Sequence, residues 1–105
     1  MSSAPNDRVG LRNVRTAHFR YLFGGLSAPM RKLARDAFRM FLADPDHPAL
    51  NRRHLSNSKK GRHRDGTWVV TLASKYRVLY VEDEGVNVWY WIGKHNDYEN
   101  FIGKK

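Results

Sequence analysis

Residues 67–92 read TWVVTLASKYRVLYVEDEGVNVWYWI, and this stretch decides the fold. Trp68, Val70 and Leu72 alternate with Thr67, Val69 and Thr71, the period of two that a half-buried strand requires. Tyr76–Glu82 and Val86–Ile92 are rich in β-branched and aromatic residues, and Asp83-Glu84-Gly85 between them is a hairpin-turn signal. Three consecutive strands with short connections predict an antiparallel meander over 67–73, 76–82 and 86–92. Strict alternation puts Trp89 and Trp91 on one face of the third strand. Tryptophans in a sheet can stack on bases, although packing against a helix carrying Phe38 and Phe41 is the stronger reading.

Before the meander the period becomes helical. Ser27 is a good N-cap and Pro29 falls in the first turn, where its missing N–H costs nothing. Met30, Leu33, Ala34, Ala37, Phe38, Phe41 and Leu42 form a continuous apolar stripe over Ser27–Leu42, and Arg31, Lys32, Arg35, Asp36 and Arg39 lie off it. Pro45 and Pro48 end this helix. Thr16 can cap a shorter helix over 17–24, whose Phe19, Leu22, Phe23 and Leu26 also follow helical spacing, although VRTAHFRYLF can equally run as a strand. Leu11–Arg15 reads as a short strand, residues 1–10 as a flexible terminus, and Asn96–Ile102 as a short closing helix after Gly93. The fold class expected is α+β: one domain over 11–105, in which two helices pack on one face of a twisted antiparallel sheet made of the short N-terminal strand and the meander.

Composition narrows the partners. The chain has 105 residues, 19 Lys+Arg against 10 Asp+Glu, a formal charge of +9, and 41% hydrophobic residues, too apolar a content for a disordered chain. Residues 1–64 hold 14 Lys+Arg and 4 acids, a net +10, whereas residues 65–105 hold 5 and 6, a net −1. No acid interrupts the stretch from 47 to 64, which contains Arg52, Arg53, His54, Lys59, Lys60, Arg62, His63 and Arg64. Such a strip either tracks a phosphate backbone or is a solvated loop. Nucleic acid is the default polyanion. There is no cysteine, which excludes disulfides and thiolate chemistry and fits a reducing cytoplasm. No apolar run approaches the ~18–20 residues of a membrane span, and the first 15 residues lack a signal-peptide pattern. The five histidines show no metal-ligand spacing and the glycines no phosphate-cradling motif, so no metal and no cofactor are expected.

The order of these pieces resembles a known family. AFRMFLADPDHPAL at 37–50, with its F-x-x-DP-x-HP-x-L pattern, then a basic loop, then the strand YRVLY at 76–80 and the closing WIGKHNDYE at 91–99, is similar to the RelE/ParE toxin superfamily over roughly residues 14–102. The resemblance implies a RelE-like fold and the toxin of a type II toxin–antitoxin pair, held inactive by a cognate antitoxin. Its RelE branch cleaves mRNA on the ribosome without a metal; its ParE branch poisons DNA gyrase. A third possibility is a non-catalytic member that only binds RNA or antitoxin. The endoribonuclease reading leads, with mRNA and the ribosome as targets.

Metal-free RNA cleavage requires activation of a ribose 2′-OH, support for the charged phosphorane and a proton for the leaving 5′-oxygen. Arg77, mid-strand among apolar neighbours, matches the family arginine that contacts the scissile phosphate; the alternative is a pair with Glu82 or Glu99. His95 matches the place where some members carry a histidine acid or base, and imidazole suits proton transfer near neutral pH. Other members carry Arg there and a tyrosine further on, which makes Tyr98 the third catalytic candidate. Alternatively His95 caps the terminal helix and Tyr98 packs on the core. Asp97 can orient His95 or cap that helix, His47 fixes its loop, and His18 is structural or on the surface.

Overall fold

The computed structural model describes residues 12–56 and 60–104. The flexible terminus expected over 1–10, and Lys59 in the basic loop, lie outside them. In chain order the elements are β1 (Arg12–Arg15), α1 (Ala17–Gly24), α2 (Ala28–Ala43), a 3-10 turn at Pro48–Leu50, β2 (Arg53–His54), β3 (Thr67–Leu72), β4 (Tyr76–Asp83), β5 (Val86–Lys94) and α3 (His95–Phe101). Both longer helices start where the caps predict. Thr16 Oγ1 accepts from the Phe19 N–H at 3.0 Å, and Ser27 Oγ accepts from the Met30 N–H at 3.3 Å, each satisfying one of the orphan donors of a first turn.

The sheet runs β1-β5-β4-β3-β2. The meander β3–β4–β5 is antiparallel as expected, but the sheet as a whole is mixed, because β1 pairs parallel to β5. That corrects the all-antiparallel expectation. The parallel edge is fixed by side chains: Asn13 Oδ1 accepts from Asn87 Nδ2 at 3.2 Å and from Trp89 Nε1 at 2.9 Å, while the Thr16 N–H donates to the Trp89 carbonyl at 3.0 Å. A fifth strand, β2, adds two residues against β3 at the opposite edge.

The two faces of the sheet carry separate cores. Phe19 and Phe41 meet Val70, Leu72, Val78, Tyr80, Trp89 and Ile92 on the face covered by α1 and α2. Val69, Leu79, Val81, Tyr90 and Trp91 meet Tyr98 and Ile102 of the α3 segment on the other. A bulge separates the tryptophans. Leu79 opposes Trp91 and Tyr80 opposes Trp89, so Tyr90 is left over. The extra residue shifts the alternation by one, so Trp89 stacks edge-on with Phe41 (5.1 Å) under α2, while Trp91 lies along Phe101 (5.1 Å) on the α3 side. The single-face expectation for Trp89 and Trp91 is therefore wrong.

The α2 stripe is only partly covered. Phe41 is buried and Met30, Ala34, Ala37 and Leu42 are half-buried, but Leu33 is 45% and Phe38 36% exposed. The helix leans on the sheet through Phe41 and leaves an apolar cleft of about 540 Å³ between them, with Phe23, Phe38, Leu72 and Trp89 in its walls and Arg15, Arg35 and Arg39 among its lining residues. None of the helices in the described residues is long and apolar enough to cross a membrane.

Candidate active site

Strand alternation places Arg77 on the α3 side of β4, since Val78 and Tyr80 belong to the opposite core and Leu79 and Val81 to this one. Its guanidinium carbon lies 5.9 Å from the centre of the Tyr98 ring. Nη1 donates to the carbonyls of Ser74 (3.0 Å) and Tyr76 (2.9 Å), and Nε is buried without a hydrogen-bond partner. Arg77 thus holds the β3–β4 turn, in which Ala73 and Ser74 are both left-handed, with φ of 50° and 57°. The turn is pinned a second time, because the Lys75 carbonyl accepts from the His95 N–H at 2.8 Å. Two non-glycine residues held in that region cost of order 1–3 kcal/mol each, and such strain persists only where the surroundings over-determine it.

His95 opens α3, with Lys94 as the N-cap residue and no side-chain cap. Its side chain is 44% exposed, and Nε2 sits 3.7 Å from the Glu99 carboxylate one turn on, a partner suited to orienting an imidazole. Arg77 and His95 come together as walls of one open hollow of about 510 Å³, with Ser74, Lys75, Tyr76, Lys94 and Asn96 as its other lining residues. Among the described residues no carboxylate lines it. A hollow with three cations and an imidazole can hold a phosphodiester, neutralise added charge on phosphorus and exchange a proton.

Tyr98 stands behind this hollow and not in its wall. It is 3% exposed, its ring centre is 6.1 Å from that of His95, and its hydroxyl accepts from Arg53 Nη2 at 3.4 Å. Arg53 therefore joins Arg77 on either side of one buried phenol.

The basic segment divides between the two faces. Arg53, Arg62 (over the Phe101 ring, 5.5 Å) and Arg64 (over the Tyr90 ring, 5.6 Å) lie on the α3 side. Arg52 and His54 lie on the other. The Arg52 guanidinium sits 4.3 Å from the Trp68 ring centre and donates to the Tyr80 hydroxyl (3.0 Å) and the Asp46 carboxylate (2.9 Å). Burial works against its charge, but the hydrogen bonds to Asp46 and Tyr80 leave its pKa raised. Burial also raises the Tyr80 phenol, against the opposing pull of Arg52. His54 meets Trp68 edge-on at 4.7 Å. His63 is 7% exposed and its Nε2 is 2.9 Å from the Ser56 carbonyl, so it ties the basic loop down. Gly61 makes room for that arrangement, since a Cβ there would come within 2.6 Å of His63 Nδ1 and of the Ile102 carbonyl oxygen. Lys60 is exposed. Of the strip, then, Arg53, Arg62 and Arg64 face the side of the hollow, His63 is buried in the loop next to the α3 segment, and Arg52 and His54 lie on the other face.

Sequence reasoning passed over Ser74, Lys75, Lys94 and Asn96. The signal was adjacency: Lys75 directly precedes Tyr76-Arg77, and Lys94 and Asn96 flank His95. Among the described residues, no three His, Asp or Glu side chains cluster so as to hold a metal ion.

No protein-family model matches the sequence, and no curated protein matches it significantly. Solved structures do. YafQ from E. coli strain BL21(DE3) superposes with a TM-score of 0.63 at 10% identity, over 84% of this chain and 97% of that one. A YoeB/ParE toxin from Agrobacterium tumefaciens gives 0.61 at 14% identity, over 81% and 99%. The intact E. coli RelBE toxin–antitoxin complex gives 0.55 at 20% identity, over 80% and 95%. The chain has the fold of the RelE/ParE toxins, and its described residues form a mixed five-stranded sheet and three helices.

Proposed function

We propose that this chain, built on the RelE/ParE toxin fold, is the toxin of a type II toxin–antitoxin pair and a metal-independent endoribonuclease that cleaves mRNA on the ribosome and arrests translation in the cytoplasm. The observation that carries the reading is that Arg77 and His95, from β4 and α3, line one hollow with no carboxylate in its wall among the described residues. In the reaction, His95 takes the proton of the ribose 2′-OH as that oxygen attacks phosphorus, or delivers a proton to the departing 5′-oxygen; bond formation and cleavage leave a 2′,3′-cyclic phosphate and a 5′-hydroxyl. Arg77 opposes the charge that grows on the phosphorane, an interaction stronger in the transition state than in the ground state. Glu99 orients the imidazole. Tyr98 supports the wall with its ring, and its hydroxyl positions Arg53 beside the RNA backbone, with Arg62 and Arg64 further along the same face. Lys60 extends this cationic surface.

The partner is a cognate antitoxin, as in the RelBE complex whose toxin shares this fold. The apolar cleft under α2, with Arg15, Arg35 and Arg39 among its lining residues, suits an amphipathic, acidic segment of such a protein.

Adding the purified chain to a translating extract tests the function. The reading expects mRNA fragments with new 5′-hydroxyl ends that depend on translation. Intact mRNA together with gyrase-dependent DNA breaks would place the chain with the gyrase poisons instead.

A further inference from the structure

We propose that Lys75 and Lys94 form a phosphate subsite next to the Arg77–His95 pair, holding the RNA backbone one step along from the scissile bond. The inference rests on the endoribonuclease reading for its ligand, but on separate residues for its evidence. Lys75 ends the strained β3–β4 turn, and Lys94 ends β5. In the β4–β5 register Lys94 lies directly opposite Tyr76, the residue that follows Lys75. Paired residues across an antiparallel ladder are ~4.5–5.5 Å apart at Cα, and chain neighbours ~3.8 Å, so both lysines sit at the same end of the sheet, Lys94 leaving from the Tyr76 face and Lys75 from the turn that precedes Arg77, and both reach the wall of the hollow.

Three features point to a bound polyanion there. Both lysines line the same hollow as Arg77 and His95, and among the described residues no acid stands in its wall. Among the described residues neither ammonium makes an ion pair, so both charges are open to an anionic ligand. The backbone beneath them is fixed and not free to splay them apart. Arg77 grips the Ser74 and Tyr76 carbonyls on either side of Lys75, and the Lys75 carbonyl itself accepts from the residue after Lys94. The groups placed for chemistry are therefore the same ones that set the position of the lysines. The opening of the hollow to solvent suits a chain that passes through, and its polar Ser74 and Asn96 suit a sugar–phosphate backbone more than an apolar ligand. This subsite lies outside the basic loop, so it gives the substrate a second point of attachment across Arg77.

The test is equilibrium binding of the full chain to a single-stranded oligonucleotide whose 2′-O-methyl groups prevent cleavage, measured from 50 to 200 mM salt. Each phosphate contact on a single strand contributes about 0.7 to the slope of log K against log salt. The K75Q/K94Q double variant should bind more weakly and lose about 1.4 from that slope, while K75R/K94R keeps the wild-type slope, with native circular dichroism for both. An unchanged slope in K75Q/K94Q overturns the subsite, and so does a K75R/K94R protein that is natively folded yet as impaired as the glutamine variant. Wild-type protein that fails to bind the oligonucleotide overturns it too. The arms separate the two readings: cleavage of unmodified mRNA with an unmoved slope removes the subsite and leaves the endoribonuclease, whereas a slope that falls as stated in a chain that cleaves nothing keeps the subsite and removes the cleavage.

Discussion

Replacing Arg52 with Gln separates a structural cation from a substrate-binding one. In the sequence Arg52 is one of a strip of cations; in the fold its side chain is 20% exposed and faces away from the hollow, over Trp68. Three interactions go with it. The guanidinium–indole contact is worth roughly 0.5–2 kcal/mol, more as it is desolvated. Loss of the donor to Tyr80, whose residue is 1% exposed, leaves a buried phenol without that partner, at about 1–3 kcal/mol. The pair with Asp46, a carboxylate 77% exposed, adds roughly 0–1 kcal/mol. Glutamine recovers part of this, so a net loss of about 2–4 kcal/mol is expected, a large share of the ~5–15 kcal/mol available to a small domain. At ~4–8 °C per kcal/mol the melting temperature falls by on the order of 10–30 °C. Urea unfolding should show a lower midpoint with an unchanged m-value. RNA binding by the folded variant should keep its salt slope, whereas the combined R53Q/R62Q/R64Q variant, once shown to be folded, loses about 2 from it at ~0.7 per contact. The reasoning is refuted if Arg52→Gln leaves the midpoint in place and flattens the salt slope.

Other outcomes follow from the same geometry. Tyr98→Phe keeps the buried ring and should leave mRNA cleavage within about tenfold of wild type, since only the 3.4 Å bond to Arg53 is lost; a drop of ~10²-fold or more would make the hydroxyl a proton donor. Reversing Arg35 and Arg39 to Glu at the cleft should weaken antitoxin binding about tenfold or more while mRNA cleavage persists, as read by calorimetry and the extract assay. Burial raises the pKa of both Tyr80 and Tyr90, the latter against opposing hydrogen bonds from Thr67 and the Arg64 N–H. The native state then holds these protons more tightly than the unfolded chain. Stability should be flat through pH ~9 and fall as pH rises past ~10 through the raised folded values; Tyr80→Phe should make that alkaline fall shallower in urea titrations at fixed pH.

Where local chemistry sets the structure, it could be read in advance. Thr16 and Ser27 cap as their side chains dictate, the prolines after Ala43 end α2, and Asp83-Glu84-Gly85 turns the chain between β4 and β5, with Glu84 and Gly85 both at positive φ. What escaped depends on partners distant in sequence. Arg12–Arg15 carries no pattern that specifies a parallel neighbour; its register comes from Asn13 meeting Asn87 and Trp89, more than 70 residues away. The bulge at Tyr90 belongs to the pairing with β4 and not to β5 alone, so alternation misassigned Trp89 and Trp91. A stripe states which side of α2 is apolar but not how closely that side approaches the sheet, and so Leu33 and Phe38 were expected inside. The same limit holds at the site. Arg77 and His95 were visible as residues, but their sharing one hollow with Lys75 and Lys94 needs the β3–β4 turn folded back on α3. The division of the basic strip needs β2, two residues long, whose alternation sends Arg53 to one face and His54 to the other.

The central claim is that Arg77 and His95 act together on RNA in the hollow they share. It is tested most directly by mRNA cleavage rates in translating extract for wild type, Arg77→Ala and His95→Ala, each with native circular dichroism and intact antitoxin binding. The account predicts that wild type cleaves, that Arg77→Ala loses ~10²–10³ in rate, and that His95→Ala loses ~10²–10⁴. Cleavage at the wild-type rate by both folded variants would contradict it.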